Sequence, residues 1–316
     1  MSAFPANFLS SDDLSGEQTM SVLSLADGLK AERQTRLAAG ESPVRDVLHG
    51  RTIAMIFEKP STRTRVSFQV AVSELGGSPL SLSAGELQLG RGETIADTGA
   101  VLSRYVHGIV VRTFGQDRLD ELAGAATVPV VNALTDQEHP CQALADLQTI
   151  RAEFGELPGR TLAYVGDGNN VAHSLLLAGA KVGLSVRIGH PEGYAPDGVV
   201  VARARELAAV SGAEIAVTLD PVEAVVGADA VYADVWASMG QEDEATERLA
   251  TFAPYQITRQ LFDHTADGAI FLHCLPAHRG EEVTDEVIDS TASRVFDQAE
   301  NRLHAQKALL AMLLGS

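Results

Sequence analysis

Short unbroken apolar runs alternate along this chain with longer stretches whose apolar residues recur every three or four positions. The first pattern marks strands buried on both faces, the second helices with one buried side. The spacing predicts an opening helix over 15–39, then strands over 52–57, 79–83, 108–113 and 128–134 interleaved with helices over 62–75, 93–105, 118–126 and 139–154. A second series follows the turn-rich Phe154-Gly155-Glu156-Leu157-Pro158-Gly159. Its strands are expected over 161–166, 184–189, 214–219, 229–235 and 269–274, and its helices over 169–181, 198–211, 221–227, 245–263 and 284–290. A last helical stretch, 298–314, is apolar enough to dock on a core. Such alternation implies an α/β protein whose parallel sheets carry helices on both faces. Ligands of open parallel sheets bind beyond the carboxyl ends of the strands.

Composition narrows the class. The 316 residues are enough for two domains, and 45% of them are hydrophobic, enough for two cores. A formal net charge of −18 argues against nucleic acid or an anionic membrane as partner, since either selects a basic face. Two cysteines far apart, Cys141 and Cys274, form no disulfide framework and point to a reducing, cytoplasmic setting. The opening residues lack a basic segment followed by a long apolar core, so neither a signal peptide nor a membrane span is expected.

Candidate chemistry falls at the predicted strand ends. Pro60-Ser61-Thr62-Arg63-Thr64-Arg65 follows the run Thr52–Phe57 and opens a helix. Unpaired N–H groups and the positive end of the helix dipole point outward there, and hydroxyls and guanidinium forks add to them. The place is suited to a phosphate, since two Ser/Thr–Arg pairs exceed what capping requires. His139-Pro140-Cys141-Gln142 follows another strand, and His139 and Gln142, three apart, can face one ligand. A histidine can donate to a carbonyl oxygen, and a glutamine both donates and accepts. Arg112 ends the run Ile109-Val110-Val111 at the same sheet edge, where it serves either a ligand or a surface ion pair.

The second series carries three more such turns. Gly166-Asp167-Gly168-Asn169-Asn170-Val171 invites a dinucleotide reading, but Val171 stands at the third glycine position and Arg187-Ile188-Gly189-His190 supplies no ribose carboxylate. Asn169 and Asn170 can instead present amides to a second ligand. Asp234-Val235-Trp236-Ala237-Ser238-Met239-Gly240 offers a carboxylate and a hydroxyl suited to an amine, or an Asx-type turn leaving a strand. Cys274, after Phe271-Leu272-His273, reads either as a reactive thiol or as a small buried hydrophobe. Arg302 opens the last helix. None of this has the spacing of a structural zinc site or a Ser-His-Asp triad, so no metal and no cofactor are expected.

Ser61-Thr62-Arg63-Thr64-Arg65, His139-Pro140-Cys141-Gln142, Asp234 through Gly240 and His273-Cys274-Leu275-Pro276, in this order and over nearly the whole chain, closely resemble the carbamoyltransferase family, its ornithine branch above all. The resemblance implies two doubly wound parallel-sheet domains. Residues 1–150 would form a carbamoyl-phosphate domain, with the C-terminal helix 300–316 returning to it, and 151–299 an ornithine domain. Carried over by position, Ser61, Thr62, Arg63 and Thr64 are the phosphate cradle. Arg112, His139, Gln142 and Arg302 complete the carbamoyl-phosphate site, with Arg112 and His139 polarising the carbonyl. Gln88 would reach a neighbouring subunit's site, which implies a homotrimer with shared active sites. Asn170, Asp234, Ser238 and Met239 match ornithine contacts, Cys274 and Leu275 lie between the ligands, and the Leu275–Pro276 bond would be cis.

The implied reaction is carbamoyl transfer to the δ-amine of L-ornithine, giving citrulline and phosphate in arginine metabolism. Aspartate as acceptor would need cationic residues for a second carboxylate, and putrescine lacks the carboxylate that Asn170 would hold. A non-enzymatic binder would be expected to have lost one of Arg63, Arg112 and Arg302.

Overall fold

The computed structural model describes residues 4–83, 92–236 and 245–315. These fall into two compact units, one of Met1–Gln148 with Glu300–Ser316 and one of Thr149–Ala299. In the first, α1 (Gly16–Ala38) precedes β1 (Thr52–Phe57), α2 (Thr62–Glu74), β2 (Ser78–Ser83), α3 (Ile95–Leu102), β3 (Gly108–Arg112), α4 (Gln116–Ala125) and β4 (Val130–Leu134), and α5 (Pro140–Phe154) leads from it into the second. The second holds β5 (Thr161–Val165), α6 (Asn170–Lys181), β6 (Ser185–Gly189), α7 (Gly198–Ser211), β7 (Ile215–Thr218), α8 (Pro221–Val225) and β8 (Ala230–Ala233). It continues with α9 (Ala245–Phe252), α10 (Arg259–Phe262), β9 (Ile270–His273) and α11 (Asp285–Ile288), and α12 (Val295–Leu314) then carries the chain back into the first unit.

Both sheets are parallel throughout, in the orders β2-β1-β3-β4 and β7-β6-β5-β8-β9. The order reverses between β1 and β3 in one and between β5 and β8 in the other. With right-handed crossovers, connections that run in one direction share a face, so α3 packs on α4 and α6 on α7, and the reversal of direction moves the remaining helices to the other face, the doubly wound arrangement expected from the sequence. Burial follows strand position. The central strands β1, β3, β5 and β8 are buried along almost their whole length, as their unbroken apolar runs require, and edge strand β9 is buried too because the segment at Ala292–Arg294 bonds to its outer side through Phe271. Edge strand β2 is Ser-Pro-Leu-Ser-Leu-Ser and stays largely uncovered, and its proline is tolerated because an edge leaves N–H positions unpaired.

Three elements depart from the expected pattern. The helix expected over 245–263 is broken: Pro254 has no N–H to continue it, and a 3₁₀ turn, Ala253–Tyr255, ends it. Thr258 then caps the short α10 by accepting from Leu261 N–H at 3.2 Å. The helix expected from 93 starts at Ile95 because Thr94 accepts from Asp97 N–H at 3.0 Å. The outer edge of β4 is covered by the N-terminal segment: Phe8 donates to the Val130 carbonyl at 2.9 Å, and Asn132 N–H to the Phe8 carbonyl at 2.7 Å. That segment occupies the β4 edge at Val130–Asn132, where a foreign strand would otherwise pair. Among the described residues no helix is long and apolar enough to cross a membrane.

Helix α12 is held in the first unit by charge as well as by apolar packing. Lys307 is buried and donates to Glu74 Oε2 at 2.7 Å, while Arg33 Nε donates to Glu74 Oε1 at 2.8 Å. Burial pushes the Glu74 carboxyl up, but its hydrogen bonds to Lys307 and Arg33 outweigh that and hold it below its usual value. Removing one member of such a group strands a buried charge. Lys307→Met is therefore expected to lower unfolding free energy by about 3 kcal/mol, read from urea melts at neutral pH.

Candidate active site

In the first unit the chain reversal places the end of β1 beside the end of β3, with Phe57 and Arg112 directly paired. The β1–α2 turn thus opens at the switch point. Ser61 is the N-cap of α2 and accepts from Thr64 N–H at 3.3 Å. Thr62, Arg63 and Thr64 form its first turn, where the orphan N–H groups lie. Arg63 is half-buried there, while Arg65 lies over the Phe57 ring at 5.1 Å and packs as an apolar-face cation. Arg302, from the far end of the sequence, joins this turn: its Nη2 donates to Thr64 Oγ1 at 2.5 Å and its Nη1 to Gln142 Oε1.

His139 precedes Pro140, whose fixed φ suits the first helical position, and its carbonyl accepts from Gln142 N–H at 3.0 Å. The pair therefore stands at the head of α5. Burial first, then the charges of Arg302 and Arg112, hold the His139 imidazole well below its ordinary value of 6.5. It is neutral at pH 7 and can donate without adding charge. Arg302 and Arg112 act on His139 with their positive charge, and Arg63 stands in the first turn of α2, three cations in a chain whose formal net charge is −18. Cys141 takes no part: it is buried, donates to the Asn132 carbonyl at 3.3 Å, and burial pushes its thiol up to about 12.

The second unit presents its own cluster at the β5/β8 switch point. Gly166 adopts φ +145°, and a side chain at Gly168 would meet the backbone of Ala195 and Pro196 at 2.5 Å or less. Glycine at both places lets the turn deliver Asn169. Asn169 Oδ1 caps α6 by accepting from Val171 N–H at 2.9 Å, and its Nδ2 donates to Asp234 Oδ2 at 2.9 Å. Asp234, at the end of β8, also accepts the Cys274 thiol at 3.0 Å and Val235 N–H at 2.9 Å, both on Oδ1. The structure thus brings Asp234, Cys274 and the turn bearing Asn170 together. Leu275 has φ +58° and the Leu275–Pro276 bond is cis, as expected from the resemblance. Gln88, Ser238 and Met239 lie outside the described residues.

Two partners of this cluster carry no local signal in the sequence. Arg248 donates through Nε to the Trp236 carbonyl at 2.5 Å and pairs through Nη2 with Asp167. It thereby ties the β5 turn to the β8 turn. Asp167 puts a carboxylate where a dinucleotide would need to set its pyrophosphate, a chemical reason against that reading. Beneath Cys274, His273 Nδ1 accepts from Leu275 N–H at 2.9 Å and Nε2 faces Glu282 Oε1 at 3.2 Å. Asp234, His273 and Cys274 offer ligand atoms within 4.8 Å of one another. Both His273 nitrogens are already engaged, so a metal there would have to break the turn's own bonds.

A cluster built on Arg302, Thr64, Gln142 and His139 stands at the switch point of one sheet and a carboxylate–thiol–amide cluster at that of the other, the places where open parallel sheets take ligands, as in two-domain α/β enzymes. The aspartate/ornithine carbamoyltransferase family model for the carbamoyl-P binding domain matches residues 6–152, and that for the Asp/Orn binding domain matches 158–313. The chain belongs to the aspartate/ornithine carbamoyltransferase family. It is 58% identical over 308 residues to an ornithine carbamoyltransferase of Parafrankia sp., covering 98% of this chain and 96% of that relative. It is 58% identical over 269 residues to a Pyrococcus furiosus protein named ornithine carbamoyltransferase, anabolic, covering 85% of each. The solved structure of ornithine carbamoyltransferase from Pyrococcus furiosus matches with a TM-score of 0.94 at 52% identity, over 100% of this chain and 99% of that one.

Two outcomes follow from the buried groups. Burial, the leading cause, also pushes His304, on α12, down to about 4, so His304 and His139 take up protons in the unfolded chain well before the folded one does. Stability present above pH 6.5 should drain as pH falls from 6.5 towards 4, by about 3 kcal/mol from His304, and His304→Leu should flatten that slope in pH-dependent melts. Iodoacetamide on the folded protein at pH 8 should label the half-buried Cys274 and spare Cys141, as read by peptide mass mapping.

Proposed function

We propose that the protein transfers the carbamoyl group of carbamoyl phosphate to the δ-amine of L-ornithine, giving L-citrulline and phosphate. The observation that carries this reading is the convergence of Arg302 on Thr64 and Gln142 beside a neutral His139. Ser61, Thr62, Arg63, Thr64 and Arg302 would hold the phosphate through N–H groups, hydroxyls and guanidinium charge. Arg112 and His139 would lie on the carbonyl oxygen, where negative charge grows as the amine attacks, and Gln142 on the carbamoyl nitrogen.

In the step itself the amine nitrogen forms a bond to the carbonyl carbon and the carbon–oxygen bond to phosphate breaks. The phosphate leaves with that electron pair, and one amine proton departs. The amine must arrive neutral, and Asp234 and Cys274, hydrogen-bonded to each other, would orient it and handle its protons. Asn170 would hold the ornithine carboxylate, and Ser238 and Met239 would complete that contact. Leu275 would lie with Cys274 between the two ligands. No step requires an acyl–enzyme bond, a metal or a cofactor.

The names borne by the relatives support ornithine as acceptor, and the anabolic name of one supports a place in arginine biosynthesis. Residues 1–150 with 300–316 would serve carbamoyl phosphate and 151–299 ornithine. The protein would work in the cytoplasm as a homotrimer in which Gln88 enters a neighbouring subunit's site.

A citrulline assay with carbamoyl phosphate against ornithine, putrescine, aspartate and N-acetylornithine tests the acceptor. Ornithine should be turned over fastest, and faster turnover of any other amine would overturn the assignment. Arg63→Ala should reduce turnover about 10²–10³-fold with little change in melting temperature. Unchanged turnover would remove Arg63 from the cradle.

A further inference from the structure

Gln142 sits between a group that can only donate and a group suited to accept. Arg302 Nη1 donates to its Oε1, and its own Nε2 donates to Asp146 Oδ1 at 2.7 Å. Asp146 lies one helical turn further along α5, on the same face as Gln142. Gln142 is 1% exposed, Asp146 0% and Arg302 3%, so these bonds are made out of water. An amide's two ends are nearly equal in shape, and only its partners decide which way it points. A guanidinium has no acceptor to offer, and a carboxylate oxygen takes the amide hydrogens. The two neighbours therefore demand the same orientation, and a flipped amide would meet two repelling contacts in a dry setting.

The end of Gln142 turned towards Arg302, and hence towards the Thr64 hydroxyl, is consequently its carbonyl oxygen. The nitrogen is turned along the helix to Asp146. A carbonyl oxygen has two lone pairs, so Oε1 can take a further hydrogen while it accepts from Arg302.

We propose that Asp146 is a positioning residue for substrate choice. By holding Nε2 it makes Gln142 present an acceptor, which takes the –NH2 of a carbamoyl group and disfavours an acyl phosphate with a methyl in its place. This rests on the reading of the first unit as a carbamoyl-phosphate site. It adds a residue that never touches the ligand.

Isothermal titration of the full chain with carbamoyl phosphate, acetyl phosphate and inorganic phosphate tests it, at low temperature where carbamoyl phosphate persists. The wild-type protein should favour carbamoyl over acetyl phosphate by at least about tenfold. Asp146→Leu should shrink that preference to within about threefold while inorganic phosphate binds within about twofold of wild type, a pattern that a merely structural role would not give. Asp146→Asn keeps an oxygen for Nε2 and should retain the preference. It decides the matter alone if the leucine variant fails to fold. A wild-type preference kept by Asp146→Leu, or lost by a folded Asp146→Asn, overturns the proposal. A wild-type protein that binds both acyl phosphates equally also overturns it while leaving the enzyme assignment standing. Failure to bind carbamoyl phosphate at all would instead sink the assignment.

Discussion

The first unit depends on one side chain. Arg302 reaches Thr64 at the head of α2 and Gln142 at the head of α5, elements separated from it by 238 and 160 positions in sequence. Without that guanidinium the Thr64 hydroxyl and the Gln142 carbonyl oxygen would lose their shared donor at the two helix starts. With it, the N-terminus of α2, Gln142 and the neutral His139 become parts of one charged surface. The cost is a buried cation, offset by hydrogen bonds to both neighbours.

The second unit solves a related problem with the opposite sign. Asp234 is buried, and the contacts described for it are not salt bridges. Its oxygens are satisfied by an amide, a thiol and a backbone N–H. A carboxylate so held keeps an appetite for a cation that a direct guanidinium contact would have quenched. Arg248 binds Asp167 and the Trp236 carbonyl, and so braces the loops on either side of Asp234.

Local patterns show through the sequence, and long-range partners do not. The buried strands were legible because each is an unbroken apolar run between turn residues, and Ser61–Arg65 because hydroxyls and arginines at a helix start have a meaning that needs no tertiary context. The break at Pro254 was there to be read, since proline cannot continue a helix, but the flanking apolar spacing masked it. Asp146, four residues after Gln142, carried a helical-neighbour signal. Arg248 and Asp167 carried none: they lie 81 positions apart, and only the fold pairs them. Local pattern alone left Asn169 and Asn170 equivalent, and the family resemblance singled out Asn170. The structure assigns the capping and Asp234 contacts to Asn169, a division set by one residue of helix register.

The return of α12 also has a consequence for how the chain is made. Glu74 waits for Lys307, 233 residues later, before its buried charge is matched from that side. On a ribosome, Thr149–Ala299 can fold while the earlier unit still lacks its closing helix. The first part to be synthesised is therefore the last to be finished, and an unsealed α1–α2 surface is what a chaperone would meet in the interval.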